Sequence, residues 1–217
     1  IAAMQEADSQ MYENGIVAVG DISNQLISKD VKQHSPLHYH TFVEVFGFNH
    51  PSQPIIEEAV KIRDSYWPLK ASIVPHAPYS VAIELFQYIE KNTRPQDVIS
   101  IHNQETLAEN EFFEKGTGDF EAMYNRMGVP KSEAHGTGEN AIRYHLPQLP
   151  RNRTLLVHNT FTGKADIEER TTMPVLGEIM QAETESPLVM KEGNRSLIAA
   201  ALIGLLRNKR RIFRTLS

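Results

Sequence analysis

The chain has no cysteine, and that absence removes several kinds of chemistry. It can carry no disulfide, no thiolate nucleophile and no structural zinc-thiolate site, so any metal must be held by histidine and carboxylate. Zinc deaminases built on an H-x-E signature with two cysteine ligands are excluded on the same ground. A membrane-length apolar run is missing too. The longest, Leu197 to Leu206, is about half of what a spanning helix needs. With no membrane span and no signal-peptide pattern, the expected location is the cytoplasm. A strong excess of one charge is also lacking: the formal net charge is -5, which gives no footing for a nucleic-acid partner. Neither G-x-S-x-G nor H-E-x-x-H occurs, so serine-hydrolase and zincin readings have no support. What remains is the composition of a soluble globular protein, 41% hydrophobic and 23% charged over 217 residues, enough for one large domain.

One unit recurs along the chain. Ile1 to Asn14 places Ile1, Met4 and Met11 on one helical face, and Gly15 fits a helix stop. Gly15 to Asp21 then reads as a buried strand, and Thr41 to Gly47 as the next. Pro54 to Tyr66 carries Ile55, Ile56, Ala59, Val60 and Ile62 at helical spacing, with Pro54 suited to a first turn. Ala71 to Val74 is a third strand, and Val81 to Lys91 a helix with Leu85, Phe86 and Ile89 inward. Val98 to Ile101 and Leu155 to Val157 complete five strands. Short apolar strands alternating with amphipathic helices predict an α/β fold with a parallel sheet. Strand starts lie roughly 26 to 30 residues apart until the last interval, which is nearly twice as long. That is the period of a (β/α)8 TIM-type barrel. The competing doubly wound sheet lacks its glycine-rich fingerprint in the first turn, Gly20 to Gln25. Five strands make the expected barrel partial, since a complete one needs about 250 residues.

The most informative stretch is Asp97-Val-Ile-Ser-Ile-His-Asn-Gln-Glu105. A β-branched apolar run ends on a histidine, and a glutamate follows three residues later. The imidazole can ligate a divalent metal, and the carboxylate can move protons for water bound to it. Thr154-Leu-Leu-Val-His158 has the same ending, and Ser72-Ile-Val-Pro-His76 a related one. Three strands delivering histidine at one end predict a shared site rather than three separate structural imidazoles.

These residues resemble the amidohydrolase superfamily, in its cytosine-deaminase-like and chlorohydrolase-like branch that includes aminodeoxyfutalosine deaminases. The resemblance covers roughly residues 1–168 and rests on Gly15-Ile-Val-Ala-Val-Gly-Asp-Ile-Ser-Asn24, Pro75-His-Ala-Pro-Tyr-Ser80, Ile101-His-Asn-Gln-Glu105 and Val157-His-Asn-Thr160. It implies that the visible strands are the second to sixth of the barrel. It also implies a metal-dependent hydrolase, most plainly a deaminase of an aminopurine-like or related nitrogen heterocycle, working through metal-activated water. In that scheme His102 is a metal ligand and Glu105 the catalytic proton shuttle. His158 binds the hydrolytic water and the tetrahedral centre, while His76, Tyr79 and Ser80 line the substrate pocket. Zinc is the expected metal, and iron(II) fits the same ligands. The partners implied are a small-molecule substrate and further copies of the chain in a homo-oligomer.

The departures from the family pattern are equally specific. Its first-strand H-x-H pair would lie upstream of Ile1. The one H-x-H present, His38-Tyr-His40, precedes the second visible strand and is expected at the surface or the bottom of the barrel. Its eighth-strand aspartate has no counterpart either. Asp166 comes too early, and Ala199-Ala-Ala201 stands where glycine, threonine and aspartate belong. The chain therefore carries one of the four expected metal ligands. It is expected to be a piece of a longer enzyme, with a catalytically inactive amidohydrolase-like scaffold as the alternative. Residues 169–217 match poorly and end in a basic tail, with Arg207, Lys209, Arg210, Arg211 and Arg214 after the apolar stretch. A final helix with a solvated basic end is the expectation there.

Smaller features are read conservatively. His135-Gly-Thr-Gly138 superficially looks like a phosphate cradle but is expected to be a flexible loop before a helix over Glu139 to Leu146. Glu44 is either a group behind the site or a buried partner of an arginine. Glu109 and Glu111 are expected to be solvated helix positions.

Overall fold

The computed structural model describes residues 1–129 and 135–166. The order of elements is α1 (Ala2–Glu13), β1 (Ala18–Ile22), α2 (Lys29–His34), β2 (His38–Val45), α3 (Ser52–Ser65), β3 (Lys70–Pro75), α4 (Ile83–Asn92), β4 (Val98–Asn103), α5 (Leu107–Lys115), α6 (Asp119–Met127), α7 (Ala141–His145) and β5 (Arg153–His158). The segment 169–217, with its basic tail, lies outside the described residues.

All the strand pairings are parallel and follow chain order, β1 to β2 to β3 and β4 to β5. The expected α/β class with parallel strands is borne out. The two groups of strands meet where His102 N donates to His76 O at 2.9 Å and Ser72 Oγ donates to Val98 O at 2.6 Å. Alternation along the strands creates two layers. Val43, Val45, Ile73, Ile99, Ile101 and Leu156 point to one side and pack with Ile56, Leu85, Phe86 and Ile89 of α3 and α4. Each such side chain contributes about 1.5–3 kcal/mol by leaving water. Residues of the opposite parity, Phe42, Val74 and Val98 with partly buried Leu155, form a second, smaller cluster. The candidate site stands on top of that cluster. Gly47 closes β2 against the next loop, where its N–H donates to Ser80 O at 2.9 Å. A Cβ there would meet Ile55 Cδ1, so a larger residue would require that side chain to shift.

The His38-Tyr-His40 pair lies within the first half of β2, three residues earlier than the expected strand start. His38 is exposed at the lower end, and His40 turns inward, where its Nε2 contacts Ser72 Oγ at 2.8 Å. Ser72 spends its proton on Val98 O, so His40 donates to it. Burial lowers the His40 pKa to about 4, well below its usual 6.5. Between those values the unfolded chain takes a proton that the folded one refuses, so stability falls as pH drops from 6.5 to 4. The effect is up to about 3 kcal/mol. His40→Gln keeps a donor but does not titrate. The stability gap between it and the wild type should therefore narrow in urea titrations as pH falls from 7 to 4. A constant gap would contradict the buried neutral imidazole.

Candidate active site

Four adjacent strands deliver the polar groups. Glu44 comes from β2, His76 directly follows β3, His102 is on β4 and His158 ends β5. Glu44, His76 and His102 share the parity of Phe42, Val74 and Val98, which is why an otherwise apolar strand can carry a carboxylate to this position. His158 does not share it. In register it sits beside Asn103, which alternation would send to the other face. Its φ of 74° breaks the alternation and lays the ring against His102.

His102 is the centre of the cluster. Its Nε2 lies 3.3 Å from Glu44 Oε1, and its Nδ1 lies 3.2 Å from His158 Nε2. His158 Nε2 lies 3.7 Å from Glu105 Oε2. A single tautomer series satisfies the metal-free contacts: His102 gives its Nε2 proton to Glu44 and accepts one from His158 at Nδ1. The His76 ring stands 5.3 Å from that of His102. Ser80 Oγ, which donates to Ala77 O, accepts from His76 Nδ1 at 2.7 Å and so leaves His76 Nε2 with a free lone pair. One ligand atom each from Glu44, His76 and His102 lies within 4.8 Å of the other two. Burial lowers the pKa of both His76 and His158, partly offset at each by the nearby carboxylates, so both favour the neutral form. Tyr79 packs edge-on to His76 with ring centroids 6.0 Å apart. Burial, with Glu109, Glu105 and Glu44 nearby, raises its pKa to about 12, so its hydroxyl keeps its proton.

Among the described residues, three that are not glycine, Gln104, His158 and Asn159, have positive φ, all at the ends of β4 and β5. Such conformations cost on the order of 1–3 kcal/mol each and persist where surrounding bonds enforce them. A buried amide network does so here. Asn103 Nδ2 donates to Asn159 Oδ1 at 2.6 Å, Asn159 Nδ2 to Leu156 O at 2.7 Å, and Gln104 Nε2 to Asn110 Oδ1 at 3.1 Å. Phe161 N donates to Gln104 O at 3.3 Å. This network carries His158 and Glu105 into the site. Sequence reasoning missed it, although Asn-Gln after one histidine and Asn after the other were a visible signal.

The structure brings His76, Tyr79, Ser80, His102, Glu105 and His158 to one end of the sheet. Glu44 joins them, paired with His102 rather than with an arginine. Glu109 corrects the reading of a solvated position. It is 1% exposed, and its Oε2 accepts the Glu105 N–H at 3.1 Å. Burial raises its pKa to about 7. The loop at His135 is also more definite than expected. The N–H groups of Gly136, Thr137 and Gly138 donate to the carbonyls of Phe112, Phe113 and Glu114, so they wrap the end of α5 and have nothing left to cradle a phosphate.

The parallel α/β fold, with histidines and an acid at the carboxyl ends of its strands, is similar to that of deaminases, and the comparisons bear out the resemblance to the amidohydrolase superfamily. The chain is 31% identical over 168 residues to the adenosine deaminase of Helicobacter pylori, matching 74% of this chain and 40% of that protein. The crystal structure of Helicobacter pylori aminofutalosine deaminase superposes with a TM-score of 0.68 at 26% identity, covering 82% of this chain and 45% of that one. The same enzyme in complex with methylthio-coformycin gives 0.68 at 27% identity, covering 82% and 44%. No family model matches the chain. These relatives are deaminases, hydrolases of C–N bonds other than peptide bonds. The chain spans less than half the length of each of them.

Proposed function

We propose that the chain carries the central strands, the second to sixth, of a (β/α)8 deaminase barrel, and that the whole protein hydrolytically removes an amine from an aminopurine-like heterocycle. The observation that carries this reading is the continuous contact series from Glu44 through His102 and His158 to Glu105, built from adjacent parallel strands. Adenosine and aminofutalosine, which give the relatives their names, are the substrates to try first.

The donor set fits a divalent metal. Two neutral imidazoles and one carboxylate are a common catalytic zinc set, and iron(II) accepts the same donors. Glu44, His76 and His102 would hold the ion, with the Ser80 contact fixing the His76 tautomer as an outer partner. Bound there, a divalent ion supplies the positive charge that makes water acidic enough to act as a nucleophile near pH 7.

The remaining chemistry falls to the chain's own groups. Glu105 takes a proton from the attacking water and delivers one to the leaving nitrogen. A C–O bond forms as the C–N bond breaks, and ammonia departs. His158 stands between Glu105 and His102, where it steadies the oxygen that becomes bonded to carbon. Tyr79, held protonated, offers a hydrogen bond to a ring nitrogen beside His76. A homo-oligomer in the cytoplasm accords with this reading. Among the described residues β1 pairs only with β2 and β5 only with β4, and open parallel edges favour covering by another chain.

The test is ammonia release from adenosine and from aminofutalosine by the purified protein, with zinc or iron(II) added after chelation. Turnover that returns with metal is the expected result. Metal-loaded, folded protein that leaves both compounds intact would overturn the assignment of substrate class.

A further inference from the structure

Among the buried acids of the described residues that the proposed reaction leaves without a task, Glu109 is the one bonded to Glu105. Its surroundings are unusual for a glutamate in the first turn of a helix. Thr106 and Glu109 have the spacing of a capping box, in which the glutamate returns to the N–H of the threonine. Here Thr106 makes no side-chain cap bond. The Glu109 carboxylate reaches further back instead, to the N–H of Glu105, which follows Gln104 outside the helix. Those two residues form the turn between β4 and α5, and Gln104 holds a φ of 48°. The other oxygen, Oε1, is buried with no hydrogen-bond partner.

We propose that Glu109 is a positioning residue for Glu105: its buried carboxylate clasps the left-handed turn through Gln104 and thereby sets where the Glu105 side chain stands relative to His158. Gln104 is anchored from two directions. Its side chain bonds Asn110, and its carbonyl accepts from Phe161 N. Glu105 has only the Glu109 contact on its backbone N–H, and its own side chain is 52% exposed. A carboxylate with one idle buried oxygen is costly for a helix cap. Its retention is accounted for by a demand on the turn rather than on the helix.

The inference rests on the proposed role of Glu105, and two measurements on the full chain keep the failures apart. The first is amide hydrogen exchange in the wild type, Glu109→Gln and Glu109→Ala. In Glu109→Ala the Glu105 amide should exchange about tenfold faster or more, while Ile99 and Ile101 keep their protection. Glu109→Gln, whose amide oxygen can still accept, should restore most of it. Unchanged exchange at Glu105 would overturn the clasp whatever the enzyme does. The second is a turnover cycle with metal-loaded protein. Glu109→Ala should lower kcat about tenfold or more with KM within about twofold, because misplacing a reacting group costs rate. In a Glu105→Gln background the same change should cost little more. Equal costs in both backgrounds would make Glu109 a structural cap only. Should Glu105→Gln itself turn over normally, the function proposed for Glu105 fails, and the exchange result still decides the clasp.

Discussion

Glu105→Gln should lower kcat by about 10²–10⁴-fold, the usual contribution of a placed proton carrier. The reason is chemical rather than structural. The amide keeps the shape of the side chain, but it cannot take a proton from water and pass one to the leaving nitrogen. The fold should not notice the change. Glu105 has a side chain 52% exposed, its carboxylate makes one 3.7 Å contact, and its backbone is held from Glu109. Tm and metal content should therefore match the wild type. The structural alternative is a glutamate that merely favours the positive end of α5. It predicts near-normal turnover and a stability loss of a few tenths of a kcal/mol to about 1 kcal/mol, so steady-state kinetics beside a thermal melt separates the two.

The second large effect concerns metal. Among the described residues, His102 is the donor that touches both Glu44 and His158. His102→Ala should abolish stoichiometric metal retention, measured by elemental analysis after dialysis against zinc-free buffer. It should also abolish stabilisation by metal. At a thousandfold excess over Kd a bound ligand adds about 4 kcal/mol, which the variant should not gain. Glu44→Gln should weaken metal binding less completely, since the amide oxygen remains a poor neutral donor. The metal-free variant is itself expected to be less stable by about 1–3 kcal/mol, because Glu44 and His158 lose their partner in a half-buried place. Absence of metal from both wild type and variant would favour the inactive scaffold.

The histidines at the strand ends were legible in the sequence because a strand has a rigid period. An apolar run ending in histidine has few ways to place that side chain, and His76 and His102 follow the alternation. His158 was legible only by luck of position, since its place in the site depends on a left-handed backbone that no periodicity announces. Glu44 was visible as an exception in an apolar strand, but its partner came from another strand and could not be inferred. Glu109 was misread for a related reason. Helical spacing says which face a residue occupies, not that the preceding turn will fold back over it. The His38–His40 pair shows the opposite case. Its distance from the carboxyl end of β2 was enough to remove it from the site, and the structure gives His40 a structural partner in Ser72. In the long interval before β5, a helix was expected over Glu139 to Leu146, where α7 lies, but α5 and α6 were given no bounds. Their placement is set by aromatic packing among Phe112, Phe120 and Tyr124 that spacing alone does not specify.

The ends of β2, β3 and β4 are proposed to hold a metal beside Glu105. Anomalous scattering from crystals of the zinc-loaded protein tests it directly. A single strong peak at the zinc edge, within about 2.0–2.3 Å of Glu44, His76 and His102, is the predicted result. A peak elsewhere, or ordered protein with no peak at that cluster, would contradict it.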